Sequence, residues 1–153
     1  MVTERLEGIF TRIQHERMQG VPILNPRLRV EAIGFRPWRG CQVGVLVTPW
    51  FMNLIALPEG TAPWRGRSVG VRVIWELPAG PCEWLVAHEP ELGDYLMSSL
   101  FSPMSAFADQ VEAERTALRV LEHLFSPSSG RPAVSRRAWL RGLVGGGGES
   151  AGS

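Results

Sequence analysis

The stretch CQVGVLVTPWFMNLIALP, Cys41 to Pro58, decides the fold. Its first half, CQVGVLV, is a nearly continuous apolar run, which is typical of a central strand that is covered on both faces. Thr48 and Pro49 are turn-forming residues, and a second apolar run resumes after them. The stretch therefore predicts a central strand, a tight turn and a second strand.

Further strands are predicted on both sides of this stretch. Between Leu28 and His88, short β-branched and aromatic runs alternate with turn residues, which is typical of an antiparallel sheet. The linkers are short and favour meander order, and the total is about five strands. Alternation predicts three sets of side chains that each share a face: Leu28, Val30 and Ala32; Val69, Val71, Val73 and Trp75; Cys82, Trp84, Val86 and His88.

Amphipathic helices are predicted before and after the sheet. The first runs to about Met18 and presents an apolar face of Leu6, Ile9, Phe10 and Ile13. The second has Ser102 as N-cap, Pro103 at its first helical position and Pro127 at its end. Its predicted apolar stripe is Met104, Phe107, Val111, Leu118, Leu121 and Phe125. The predicted fold class is α+β, a single domain whose antiparallel sheet is packed by an N-terminal and a C-terminal helix.

The chain of 153 residues is long enough for one sizeable core. We expect one α+β domain at 1–126 and a flexible basic tail at 127–153, because Gly, Ser and Pro dominate the tail. The net charge of +1 conceals a split, since residues 1–125 carry −2 and residues 126–153 carry +3. Four arginines in the tail provide too little positive charge for strong binding to phosphates, so nucleic acid is not an expected partner.

No apolar run approaches the length that spans a membrane, and the first ten residues contain glutamates where an export signal would be basic. We therefore expect a cytoplasmic protein without membrane insertion. A segment similar to the twin-arginine export motif, SRRAWLRG, nevertheless stands near the C-terminus. No apolar region follows it, so it cannot be an export signal of this chain. Its residues of interest are Ser135, Arg136, Arg137, Trp139, Leu140 and Arg141.

Signs of catalysis or metal binding are few. No two histidines have the i, i+4 spacing of a helical zinc site, and no Gly-rich phosphate loop joins a strand to a helix. Cys41 and Cys82 form no CxxC motif, and we interpret them as small buried hydrophobes, with a disulfide as the minor option. The acidic stretch HEPELGDY, residues 88–95, fits a solvated loop better than an acid/base or metal site. No cofactor is expected.

Large apolar side chains cluster in FRPWRG, TPWFMNL and SLFSPM. Trp50, Phe51 and Met52 cannot share one face of a strand, because successive side chains point to opposite sides. If both helices cover one face of the sheet, part of this set forms an apolar patch on the other face that a partner could bind. For any single residue, buried core is favoured over such a binding role by about two to one.

At these stretches the sequence resembles the HybE/HupJ family of [NiFe]-hydrogenase assembly chaperones. Four blocks carry the resemblance in the order of the family: NPRLRVEAIGFRPW, GVLVTPWFMNLIALP, AHEPELGDYLMSSLFSPMSAFADQ and SRRAWLRG. They cover residues 25–110 and 135–142. The combination of TPWFMNL with LFSPM is far more specific than a single short motif.

The resemblance implies a non-catalytic accessory chaperone that binds a hydrogenase subunit precursor in the cytoplasm, before twin-arginine export. The implied clients are the small-subunit precursor with its signal peptide and the large-subunit precursor. A rubredoxin-like accessory protein is a further implied partner, although this chain has no CxxC pairs of its own. The hypothetical client-binding residues are Trp38, Pro49, Trp50, Phe51, Met52, Asn53, Phe101 and Met104.

Two alternatives stay open at this point. The chain could instead be a small-molecule or metal-dependent enzyme that uses the acidic loop near His88. The SRRAWLRG segment has two explanations of its own. It either imitates the signal peptide of a client and occupies the groove of the chaperone, or it is a basic tail that binds lipid, an acidic group or a subunit and whose likeness to the export motif is coincidental.

Overall fold

Two helices and six strands make up the part of the chain that the computed structural model describes, residues 2–60, 64 and 66–127. The SRRAWLRG segment and the rest of the predicted tail beyond residue 127 lie outside it. The α+β class and the single domain are confirmed. In chain order the elements are α1 (Val2–Arg17), β1 (Glu31–Trp38), β2 (Cys41–Val47), β3 (Met52–Pro58), β4 (Arg72–Leu77), β5 (Gly80–Glu89), β6 (Gly93–Phe101) and α2 (Gln110–Leu124).

The six strands form one antiparallel sheet in the order β1-β2-β3-β6-β5-β4. The predicted meander of about five strands is therefore wrong beyond β3. The sequence of β6, GDYLMSSLF, contains two serines and follows an acidic loop, so its pattern alone does not distinguish a strand from a loop. In the sheet, β6 lies between β3 and β5, and the chain crosses from β3 to the far edge before it returns.

The hairpin of β2 and β3 lies within the sheet, as its apolar sequence predicts. The two strands pair from Cys41 opposite Pro58 to Val47 opposite Met52. Nearly all of their side chains are buried, because both faces of the sheet are covered here. The hairpin therefore fixes the position of the turn at 48–51.

Gly44 in β2 permits a close approach by the neighbouring strand. The register of β1 shifts between Ile33 and Arg36, and Phe35 within this shift packs onto Gly44. A Cβ atom at position 44 would lie 2.4 Å from Cδ1 of Phe35 and 2.8 Å from its Cα. The close packing of these two strands therefore requires glycine at this position.

The two helices cover opposite faces of the sheet. An exposed apolar patch was predicted for the case in which both helices cover one face of the sheet. That case does not occur. Most of the apolar set is consequently core on one side or the other. On one face, α1 places Leu6, Ile9, Phe10 and Ile13 against Leu46, Ile55, Leu57 and Tyr95. On the other face, α2 places Ala113, Ala117, Val120, Leu121 and Leu124 against a larger cluster that includes Val43, Val45, Leu54 and Trp84.

The sheet is curved so that its two edge strands approach each other. Nε1 of Trp38, on β1, donates a hydrogen bond of 2.8 Å to the carbonyl oxygen of Glu76, on β4. The ring of Trp38 also packs edge-to-face on Phe125, just beyond α2, with a centroid distance of 6.0 Å. The C-terminal end of α2 thus lies where the two edges meet.

Helix α2 begins seven residues later than predicted. The N-cap is Asp109, whose Oδ1 accepts a hydrogen bond of 2.9 Å from the backbone N–H of Glu112. Ser102 and Pro103 instead belong to a loop, so the sequence contains two capping signals and the second one starts the helix. The predicted stripe is also wrong in part, because Val111 and Leu118 are 52% and 51% exposed.

Neither described helix is long and apolar enough to cross a membrane.

The predicted strand faces are confirmed in part. Cys82, Trp84 and Val86 are buried together, whereas His88 is exposed. Val73 and Trp75 pack on the core, but Val69 and Val71 precede β4 and are exposed. Leu28 precedes β1 and packs in the α2 cluster, while Val30 and Ala32 pack in the α1 cluster. Each error lies at a strand end, where the period of two no longer applies.

Candidate functional site

Three loops meet at one end of the sheet. The turn at 48–51 joins β2 to β3, and the loop at 102–107 leaves the end of β6. Met52 pairs with both Val47 and Phe101, so the turn and the loop leave the sheet side by side. A third loop at 22–27 reaches them from the end of α1. We call these three loops together the junction.

Asn25 ties the junction together. Its backbone N–H donates to the carbonyl oxygen of Pro49 at 2.8 Å. Its Nδ2 donates to the carbonyl oxygens of Met104 and Phe107 at 3.0 and 2.9 Å. Its Oδ1 accepts from the backbone N–H of Arg27 at 3.0 Å. One half-buried side chain and its backbone therefore hold all three loops in a fixed arrangement.

Two of the three loops, at 22–27 and 102–107, form an open and largely apolar cleft of about 500 Å³. Ile23 at its lip is 49% exposed, and Arg27 is the one charged residue among those that line it. The loop at 22–27 has little spare hydrogen-bonding capacity, because two prolines supply no N–H and the amides of Leu24 and Leu28 close tight turns. The cleft therefore suits an apolar ligand. It is lined by Pro22, Ile23, Leu24, Asn25, Pro26, Arg27, Pro103, Ser105 and Phe107.

An aromatic row connects the turn at 48–51 to α1. The rings of Trp50 and Phe51 pack edge-to-face at 5.4 Å, and the ring of Phe51 packs on Phe10 of α1 at 5.9 Å. Oγ1 of Thr48 accepts hydrogen bonds from the backbone N–H groups of Trp50 and Phe51 at 3.2 and 2.9 Å. The turn is thereby fixed, and both aromatic rings stay half-buried.

Half of the predicted client-binding residues lie in the core. Pro49, Met52, Asn53 and Met104 are buried, as the two-to-one preference for core at any single position expects, and their client-binding role stays a prediction. Met52 and Asn53 belong to β3, whose two faces the helices cover, whereas Pro49 and Met104 are buried within the loops of the junction. Trp50, Phe51 and Phe101 are half-buried near the junction. The buried four can shape the junction from below, and only the half-buried three can reach a partner directly.

Trp38 does not belong to the junction. It pairs with Cys41 at the opposite end of the β1–β2 hairpin, where its ring contacts Phe125 and the guanidinium of Arg39. The structure thus separates this residue from the other seven. The tail residues Ser135 to Arg141 lie outside the described residues.

The acidic stretch near His88 consists of ion pairs at the surface. Nδ1 of His88 and Oδ1 of Asp94 are 2.8 Å apart, and both side chains are about half exposed. Glu91 pairs with Arg12, and Glu89 pairs with Arg17 at 3.5 Å, so the stretch anchors α1 to the turn between β5 and β6. No group of three His, Cys, Asp or Glu side chains with the spacing of a metal site occurs among residues 2–60, 64 and 66–127.

The two cysteines are buried and are not bonded to each other. Burial, together with the negative charge of Glu59, raises the pKa of the Cys41 thiol from 9.0 to about 11. A thiol is a nucleophile only as its thiolate. Cys41 therefore stays protonated at neutral pH and serves as a small core residue.

Two residues of the cleft were not predicted from the sequence. Asn25 holds its loops together, and Ile23 lies at its rim. The pattern Asn-Pro-Arg does contain a local signal, since an asparagine side chain that bonds the backbone two residues later forms a common turn. That signal accounts for the bond to Arg27. The bonds to Met104 and Phe107 span 79 and 82 residues, and no local pattern reports them.

The fold and the junction together define a small α+β domain with an apolar cleft at one end of its sheet. The family model for "[NiFe]-hydrogenase assembly, chaperone, HybE" matches residues 1–142. The chain belongs to this family of hydrogenase assembly chaperones. The match ends at Gly142, the last residue of SRRAWLRG, so this segment falls within the family region.

Individual relatives agree with the family assignment. The hydrogenase expression/formation protein HupJ of Bradyrhizobium diazoefficiens is 39% identical over 132 residues, which cover 86% of this chain and 76% of that protein. A probable rubredoxin HupJ of Rhodobacter capsulatus is also 39% identical over 132 residues, but these cover 47% of its length. The solution structure of HybE from Escherichia coli has the same fold, with a TM-score of 0.65, 23% identity and 87% coverage of each chain.

Proposed function

We propose that this assembly chaperone is non-catalytic and holds an apolar segment of a hydrogenase subunit precursor in the cleft of the junction. In this proposal it acts in the cytoplasm, before the precursor is exported by the twin-arginine route. The observation that carries the proposal is the convergence of three sequence blocks at the junction, two of which line the cleft. Asn25, Pro49 and Met104 come from three separate blocks that resemble the family, and hydrogen bonds join them.

The chemistry of the cleft favours an apolar segment over the arginine pair of an export signal. Its lining is largely apolar, and its one charged side chain is the cation Arg27, which repels arginine. Its volume of about 500 Å³ falls within the range of roughly 300 to 1,000 Å³ that is typical of ligand sites. An export signal carries an apolar region of roughly 7 to 15 residues after its basic part. The small-subunit precursor therefore fits the cleft best, and the large-subunit precursor is the second candidate.

A rubredoxin-like accessory protein is the further partner we propose. Its support is the relative of this chain that is called a probable rubredoxin, of which the chain spans about half. In this proposal, this chain and a separate rubredoxin-like protein would associate in place of two parts joined within one longer chain.

Ile23→Asp should weaken binding of the small-subunit precursor by about 30-fold or more, because truncation of an apolar anchor typically costs ~2 kcal/mol and a carboxylate that the client buries adds to the loss. The side chain is exposed, so the fold should tolerate the change. The measurement is the dissociation constant of the full chain for each purified precursor, with and without its signal peptide. Ile74→Asp, which alters an exposed isoleucine far along the sheet, is the matched control. Equal affinities for the two variants would contradict the proposal.

The apolar pair of the SRRAWLRG segment, Trp139 and Leu140, is proposed to compete for the same cleft, with the arginines of the segment outside it. Helix α2 has 15 residues and is therefore about 22 Å long. Trp139 follows Pro127 by 12 positions, a length of chain that spans up to about 40 Å. That length suffices to return from the end of α2 to the loop that precedes α2.

Removal of residues 131–153 tests this competition. If the segment occupies the cleft, the shortened chain should bind the signal peptide several-fold more tightly, because an intramolecular competitor has been removed. Weaker binding would show instead that the segment docks the client. The same comparison with Arg136→Ala, Arg137→Ala and Trp139→Ala in the full chain distinguishes the segment from the rest of the tail.

A further inference from the structure

The half of the sheet formed by β4 and β5 is covered on one face only. Trp75, Cys82 and Trp84 point towards α2 and belong to its cluster. Side chains alternate along a strand, so Ile74 and Leu85 point to the face that carries α1. The α1 cluster includes Ala87 from β5 and no described residue of β4. Helix α1 therefore stands beside this part of the face and leaves it open.

The open face is apolar at its centre. Ile74 is 66% exposed and Leu85 is 38% exposed, although both lie in the middle of regular strands. Val69 and Val71 just before β4 are exposed as well. Ile74 and Leu85 are two of the seven large exposed hydrophobic residues of the described chain, and they lie on the same face of neighbouring strands. Clustering of this kind marks an interaction surface more often than isolated exposed residues do.

Two charged residues complete a block of four on the same face. Arg72 stands opposite Leu85, and Ile74 stands opposite Glu83. The apolar pair occupies one diagonal of this block and the charged pair occupies the other. Nη1 of Arg72 and Oε2 of Glu83 are 3.0 Å apart across the second diagonal. We call these four residues the β4–β5 block.

The β4–β5 block is complementary to itself. A two-fold axis that lies in the plane of the face, along the line from Ile74 to Leu85, brings a second copy face to face with the first. Residues on the axis then meet themselves, so the apolar side chains meet. Residues off the axis exchange places, so Arg72 of each copy meets Glu83 of the other. This is the isologous pattern that a symmetric dimer requires.

We propose that the β4–β5 block is a homodimer interface, occupied by a second copy of this chain. The pattern of charges selects this occupant, because an unrelated partner has no reason to require one cation and one anion exchanged by a two-fold axis. The interface lies away from the junction, which is built by the loops at 22–27, 48–51 and 102–107. A dimer would therefore carry two separate clefts.

The experiment is sedimentation velocity of the full chain over a range of concentrations. Wild type should show a monomer–dimer equilibrium, and Ile74→Asp should raise the dimer dissociation constant by about 30-fold or more. Ile23→Asp, an equally drastic change at the junction, should leave that constant unchanged. A monomeric wild type, or an unchanged constant for Ile74→Asp, would overturn the proposal. So would a loss of precursor binding in Ile74→Asp without a change in association.

A charge exchange makes the test specific. Arg72→Glu and Glu83→Arg should each self-associate weakly, because like charges then meet across the axis. An equimolar mixture of the two variants should form a heterodimer, since one face is then wholly acidic and the other wholly basic. Circular dichroism of each variant confirms that it is folded. Absence of the heterodimer in the mixture of folded variants would contradict the two-fold arrangement.

Discussion

Asn25→Ala should lower the free energy of unfolding by about 2 to 3 kcal/mol and abolish precursor binding at concentrations that saturate the wild type. The change removes the two hydrogen bonds to the carbonyl oxygens of Met104 and Phe107 and the one from the N–H of Arg27. Each of the two carbonyl groups of the loop at 102–107 that loses its partner costs roughly 1 kcal/mol or more, and the exposed N–H of Arg27 costs less because water can bond it. Urea denaturation measures the stability, and titration with the small-subunit precursor measures the binding.

Asn25→Asp is the matched control for this result. It keeps an oxygen that can accept from the N–H of Arg27, but it replaces the donating amide by a carboxylate next to two carbonyl oxygens. We expect it to be at least as damaging as alanine. If aspartate preserves both stability and binding, the bonds to the loop at 102–107 are not what holds the cleft together.

Gly44→Ala should destabilise the protein by about 3 kcal/mol, the upper end of the usual cost of overpacking a core. The new methyl group would lie 2.4 Å from the ring and 2.8 Å from the Cα of Phe35. Because one of these contacts is with backbone, a rotation of the phenylalanine side chain cannot relieve both. Urea denaturation of the purified variant gives the change in unfolding free energy directly.

Gly8→Ala in α1 provides the comparison for this second substitution. Nothing lies within 4 Å of the position of its Cβ, and alanine is the better helix former by about 1 kcal/mol. We therefore expect Gly8→Ala to be neutral or stabilising. A Gly44→Ala variant that is as stable as Gly8→Ala would mean that β1 and β2 do not pack as closely as described.

The parts of the fold that depend on local pattern could be predicted from the sequence. The apolar runs from Cys41 to Pro58 indicate β2, the turn and β3, since continuous apolar strands are buried on both faces. Both helices follow from their apolar periodicity. The start of α2 could not be placed, because Ser102-Pro103 and Asp109 both resemble helix starts. Only the packing of the loop at 102–107 against Asn25 decides between them.

Strand order and the candidate site depend on contacts between distant parts of the chain. Strand β6 lies between β3 and β5 because it pairs with both of them along its length. Its sequence contains a glycine, an aspartate and two serines, so it does not show the continuous apolar run that is typical of a central strand. Pro49 and Met104 belong to motifs that resemble the family, but those motifs do not show whether the two side chains are buried. The cleft itself depends on Asn25, whose partners lie about 80 residues away.

Site-specific photo-crosslinking tests most directly whether the cleft holds the client. A photoreactive phenylalanine analogue is placed at position 23 of the full chain, or at position 74 as the comparison, and each protein is irradiated in the presence of the small-subunit precursor. If the cleft holds the client, position 23 should form an adduct with one apolar segment of the precursor, and position 74 should form an adduct with a second copy of this chain. Precursor adducts at position 74 without any at position 23 would contradict this role of the cleft.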